Sequence, residues 1–177
     1  VPLNAVYIAF KICDRLHPDY YASDVTSDIL SNGTSSRLHQ KLVKDEKAFV
    51  EIDAYITSSD DIGMFVVEGK ITDGIELQKA TDLIWAELKK MKEEKVNESE
   101  LQKCKNKMLT YMNFSEASLL NRAISLAYYE LLGNANLINE EEQQYDAVNA
   151  EHIQQFAQKT FTKERSNTLF YLKKESK

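Results

Sequence analysis

Glycine and proline are both scarce in this chain, at 5 and 2 of 177 residues. That scarcity excludes a low-complexity or loop-dominated polymer and points to long regular elements with few long loops. Only two cysteines occur, Cys13 and Cys104, which is no disulfide framework for a chain of this size. Cys104 falls on the apolar stripe of a helical stretch and reads most simply as a buried thiol, with a single disulfide left open. No apolar run approaches the ~20 residues needed to cross a bilayer. Positive charge is not in excess either. The formal net charge is −6, a balance that repels phosphate backbones, so nucleic acid is not an expected partner. Lys89, Lys90, Lys92 and Lys95 alternate with Glu93 and Glu94, the pattern of a solvated helix face.

Catalytic signatures are equally sparse. A zinc peptidase needs two imidazoles one helical turn apart and a glutamate base. His17, His39 and His152 are the three histidines; none pairs with another at that spacing, and each is expected to be structural or on the surface. The G-x-S-x-G elbow and the glycine-rich phosphate loop are missing. Cys13 and His17 stand four residues apart, which permits a thiol–imidazole pair, though strand ends bring such residues together by chance. The run Glu140–Glu141–Glu142 lacks the spaced oxygens and turn glycine of a calcium loop and reads as a solvated helix start.

What the chain does contain is pattern. Hydrophobic residues make up 43% and charged residues 28%, enough for one globular domain, residues 1–177, with a sizeable core. Val6, Ile8, Phe10 and Ile12 share one face of a strand. After Pro18, Asp19 is expected to cap a helix that runs to about Leu30. Gly33 suits a left-handed cap after it, and the hydroxyls of Thr34, Ser35 and Ser36 are expected to cap a second helix carrying Leu38 and Leu42. Val50, Ile52, Ala54 and Ile56 are expected on one face of a strand, joined through a turn at Ser58–Asp61 to a return strand over Gly63–Ile71. Helical stripes follow: Ile75, Ala80, Ile84, Leu88 and Met91; then, after a cap at Asn97, Leu101, Cys104, Met108 and Met112; then, past a bend between Asn113 and Ser118, Leu120, Ala123, Ala127 and Leu131. Asn149 caps a last helix with Ile153, Phe156, Ala157 and Phe161 inward, and Asn167–Lys173 reads as a final strand. In the doublets Tyr20–Tyr21 and Tyr128–Tyr129 one ring of each can pack while the other reaches solvent. The order predicts an α+β two-layer sandwich, a mostly antiparallel sheet of about four to six strands with helices packed on one face.

The segment Leu30–Leu38, with Gly33, Ser36, Arg37 and Leu38, resembles the G-x-x-S-R-L element of the C-terminal domains of insulinase-type (M16) zinc peptidases. The surrounding order is similar too: Pro18–Asp19–Tyr20–Tyr21 ahead of it, and Gly63–Val67, Asn97–Leu101 and Val148–Ile153 after it. This resemblance covers nearly the whole chain. It implies a half-domain of the M16 and LuxS-metallohydrolase type, cut from a longer chain, whose companion half bears the zinc.

On that resemblance, this half closes a substrate chamber and helps hold an extended peptide. No cofactor is expected in this domain, and zinc is expected in the parent protein or a partner subunit. The expected partners are the N-terminal zinc-bearing half-domain or a partner subunit, and a peptide substrate; a dimer is also open. Relatives use an Arg and a Tyr seven residues apart near the zinc. Aligned on Arg37–Leu38, those positions fall at Val43 and Val50, so the pair is not kept, while Gly33, Ser36, Arg37 and Leu38 are expected to be structural. A guanidinium just inside a helix start is expected to pair with a nearby carboxylate. Two other readings stay open: a scaffold subunit of the same family without peptidase activity, and an unrelated ferredoxin-like binding module.

Overall fold

Four segments of period-two patterning pair into one antiparallel sheet. Strand β1 (Ala5–Lys11) lies between β3 (Met64–Ile71) and β4 (Ser166–Tyr171), and β2 (Phe49–Thr57) flanks β3, so the order is β2-β3-β1-β4. The computed structural model describes residues 2–57 and 61–174; Ser58, Ser59 and Asp60 of the expected turn lie outside the described residues. Helices α1 (Asp19–Ser31), α2 (Leu77–Glu93), α3 (Glu98–Glu116), α4 (Leu119–Leu131), α5 (Glu141–Ala147) and α6 (Ala150–Thr160) supply the second layer, with a π-helical segment at His39–Asp45. This is the α+β sandwich that the alternation of strand and helix patterns predicts.

The core sits between the layers. Val6, Ile8 and Phe10 of β1 face the helices and are fully buried, opposite Gly69, Val67 and Phe65 of β3. Phe10 and Phe65 meet Phe161 edge-on, with ring centroids 5.2 and 5.1 Å apart, and Phe10 also meets Trp85 of α2 at 5.7 Å. Burying each such ring stabilises the fold by about 1.5–3 kcal/mol, with about 0.5–1.5 kcal/mol more per edge-to-face pair. The α2 stripe Ala80, Ile84, Leu88 and Met91 and the α6 stripe Ile153, Phe156 and Ala157 are buried as their spacing requires.

Several local expectations are corrected. Pro18, not Asp19, occupies the cap position of α1; its φ of −54° and ψ of −33° are already helical, as suits proline at a helix start. The His17 imidazole Nδ1 accepts the Asp19 amide at 3.0 Å instead. Of the three hydroxyls expected to cap the second helix, Ser36 Oγ is buried and without a partner, and the Ser35 hydroxyl accepts from Lys103. The segment that follows is wound wider than an α-helix, the Glu46 amide reaching the Lys41 carbonyl five residues back.

Val50 is not on the buried face of β2. The register between β2 and β3 shifts between Phe49 and Glu51, so one extra residue is inserted. This bulge turns Phe49 onto the core and leaves Val50 54% exposed. The Phe49 ring then lies over Gly69, where a Cβ would stand 2.6 Å from Phe49 Cδ1. Helix α4 also departs from its pattern. Its stripe is not buried: Leu120 is 69% and Leu131 72% exposed, and Tyr129 is the buried residue of the helix. A stripe at helical spacing requires a partner layer, and in this chain α4 lies at the margin of the helical layer.

Gly69→Ala is therefore expected to destabilise the domain by about 1–3 kcal/mol through overpacking against Phe49. Chemical denaturation checks this, and combining it with Phe49→Leu should recover part of the loss.

Candidate functional site

Helix α1 stops where Gly33 takes a φ of +96°, a left-handed conformation open to a residue without Cβ. The chain then turns back along α3. Lys107 bonds the Asn32 side-chain oxygen, and Lys103 the Ser35 hydroxyl. Arg37 closes the turn. Its Nε and Nη2 donate to the two carboxylate oxygens of Glu100, at 3.0 and 2.7 Å, and Nη1 donates to Met91 Sδ at 3.2 Å. Both side chains of this pair are mostly buried, and the two-pronged bond to Glu100 raises the guanidinium pKa against the opposing effect of burial. Leu38 is fully buried beneath it. The element Gly33–Leu38 thus fastens the turn to the end of α2 and the start of α3.

Val43 and Val50 occupy different settings. Val43, on the π-helical segment, is partly buried and packs against the core, whereas Val50 points outward at the bulge. Neither offers a hydrogen-bonding side chain.

The three histidines lie apart, His17 before α1, His39 on the π-helical segment and His152 in the first turn of α6. Among the described residues, no group of three or more His, Cys, Asp or Glu is placed to hold a metal ion. The side chains present do not fit a zinc centre, and no chemical step is derived through one. Cys13 and His17 share the wall of a small cavity of about 190 Å³. Burial, with the charge of Asp19, raises the Cys13 thiol above its ordinary value, which disfavours the thiolate a nucleophile requires. Cys104 is pushed up to about 11 by burial, with Asp28 adding to it. Both thiols are free.

Glu140–Glu142 stand at the start of α5 as expected and Glu142 is exposed, but Glu141 is held in an interaction that no spacing announces. Arg15, in the turn between β1 and α1, is only 5% exposed. Its Nη2 meets Glu141 Oε1 at 2.6 Å and donates to the Tyr129 hydroxyl at 2.9 Å, while Nη1 donates to the Tyr21 hydroxyl at 3.1 Å. The guanidinium carbon lies 4.2 Å from the Tyr20 ring centroid and 5.0 Å from that of Tyr21. The tyrosine doublets are the only trace of this cage in the sequence.

The arrangement is therefore a packed two-layer α+β fold whose polar clusters fasten helices together. The comparisons identify the family. Residues 1–108 match the family model described as Peptidase M16 inactive domain, and the chain belongs to that family. It is 27% identical over 158 residues, 89% of its length, to the uncharacterized zinc protease YmxG of Bacillus subtilis. A protease from Helicobacter pylori superposes with a TM-score of 0.91 at 24% identity, over 98% of this chain and 42% of that one. An inactive peptidase domain from Bordetella parapertussis superposes at 0.89 and 18% identity, over 99% of this chain and 93% of that one. The chain spans 38% of the length of YmxG.

Replacing Arg37 by Lys keeps the charge and removes the two-pronged geometry. It is expected to cost about 1–3 kcal/mol of stability. A melting experiment checks this, and Glu100→Gln should cause a loss that is not additive with it.

Proposed function

We propose that residues 1–177 form one domain, the non-catalytic half of a zinc metallopeptidase, which closes the substrate chamber and helps hold an extended peptide. In this reading zinc is bound by an N-terminal half-domain or a partner subunit. Membership of the inactive-domain family over residues 1–108 carries the reading. The sheet supports it. Its face away from the helices carries Tyr55, Met64, Leu169 and Tyr171, each 40% or more exposed, beside the charged side chains of Glu51, Glu68 and Lys70, a mixed surface that a peptide can cover. Among the described residues β2 and β4 each have a neighbour strand on one side only, and a free strand edge offers backbone hydrogen bonds to an extended chain without regard to its sequence.

The contribution of such a half is confinement. Holding the peptide against a site carried elsewhere makes the reaction effectively intramolecular and excludes water and folded competitors. Gly33, Ser36, Arg37 and Leu38 maintain the turn beside α3. Val43 and Val50, at the positions where relatives bear an Arg and a Tyr, supply only apolar contact. That last feature also favours a second reading, a scaffold subunit that does no proteolysis.

The full-length parent separates the two. Assayed on an unfolded fluorogenic peptide, it is expected to cleave in a chelator-sensitive way, to regain activity with added zinc, and to lose it when this domain is deleted. A zinc-loaded parent that cleaves no unfolded peptide would establish the scaffold reading instead.

A further inference from the structure

A cavity of about 450 Å³ opens between α1, α3, α4 and α5, within the size range of small-ligand sites. Met108, Tyr111, Met112 and Ile138 form its apolar wall, and Asp24, Asp28 and Glu141 its polar floor. Glu141 already has Arg15. Asp24 accepts from the Tyr145 hydroxyl at 2.6 Å, and Asp28 from Asn32 Nδ2 at 2.6 Å, but neither has an ion pair among the described residues. Lys107 lines the same cavity, yet its ammonium is bonded to the side-chain oxygen of Asn32. Burial is the largest influence on both aspartates and raises each above its ordinary value. Arg15 and Lys107 compensate the two aspartates only at a distance; the cavity therefore combines an apolar wall with acidic groups, Asp24, Asp28, Glu116 and Glu141, that outnumber the cations beside them.

That combination is selective. A neutral apolar ligand would bury the carboxylates further without compensating them, and an anion would be repelled. A compact metal ion would find no group of three His, Cys, Asp or Glu side chains placed to hold it among the described residues. A cation on an apolar stem satisfies both surfaces, its head at the aspartates and its methylenes along the methionines. Tyr111 and Phe114, 76% and 77% exposed, extend the apolar wall outward on α3 and offer a ledge to the rest of a bound chain. We propose that this cavity binds the basic side chain of a peptide, a lysine ammonium or arginine guanidinium at Asp24 and Asp28 with its stem against Met108 and Met112. The inference goes beyond the peptidase reading and does not depend on it.

The test is a methyl NMR titration of this chain, following Met108 and Met112, with Nα-acetyl-lysine amide, Nα-acetyl-arginine amide, the neutral Nα-acetyl-norleucine amide, and the free diamine putrescine. Saturable shifts are expected with the lysine and arginine amides. Norleucine amide should bind at least about 10-fold more weakly, and Asp28→Asn should weaken the lysine amide by about 10-fold or more, as loss of a charge-assisted bond requires. Asp28→Asn is expected to fold. Burial raises the Asp28 pKa in the native state, so whatever stability the group lends is complete below its unfolded value and is lost as pH rises through the folded one. The neutral variant avoids that loss at pH 7 and should melt no lower than the parent. Asp24→Asn is a second variant with the same expected loss of binding. Equal binding of norleucine and lysine amides, or no saturable shift with either basic amide, overturns the proposal. Tighter binding of putrescine than of lysine amide overturns the peptide assignment in favour of a free diamine.

Discussion

The Arg15 guanidinium is buried in a cage of Tyr20, Tyr21, Tyr129 and Glu141, and the placement of the outer helices depends on it. A buried cation is costly unless charge and hydrogen bonds compensate it. Here one carboxylate, two hydroxyls and three aromatic rings do so, and each comes with an element attached: Tyr20 and Tyr21 bring the first turn of α1, Tyr129 brings α4, and Glu141 brings α5. Helix α4 has little else to hold it, since Leu119, Leu120, Ile124 and Leu131 are exposed and Tyr129 is its buried residue. Removing one member of such a pair while leaving its partner buried costs about 3–5 kcal/mol, so the cage is a condition for the whole α4–α5 end of the domain.

A second polar fastening acts at the other end of α1. Arg37 and Glu100 hold the Gly33–Leu38 turn to α2 and α3, while β2 and β3 position Phe49 through the bulge. The two fastenings and the aromatic core leave Tyr55, Met64, Leu169 and Tyr171 exposed on the outer face of the sheet. In both fastenings, mostly buried charged groups join helices. The cavity between α1, α3, α4 and α5 lies beside two ties of α5, the Arg15–Glu141 pair and the bond from the Tyr145 hydroxyl to Asp24 of α1.

Much of the architecture was legible in the residues. The strand order along the chain, the caps at Asn97 and Asn149 and the inward stripes of α2 and α6 follow from local periodicity and short-range hydrogen bonding, which a sequence displays directly. The G-x-x-S-R-L element pointed to the family. The misses share a cause. Val50 was assigned to the inner face because strict alternation from Ile52 puts it there, and a single inserted residue reverses that. The α4 stripe was expected inward because helical spacing identifies an apolar face without saying whether anything covers it. Asp19 was expected as a cap although Pro18 was already able to begin the helix.

By itself, the sequence determined the element order, the helix-facing side of most elements and the family, because these rest on interactions within a few residues and on a motif read in order. The tertiary structure decided which polar residues meet. Arg15 and Glu141 are 126 positions apart and Arg37 and Glu100 are 63 apart; nothing in their local spacing couples them. Their contacts, the exposure of Val50 and α4, and the acidic cavity arise only when the layers close, because burial and charge compensation belong to the assembled space and not to the chain.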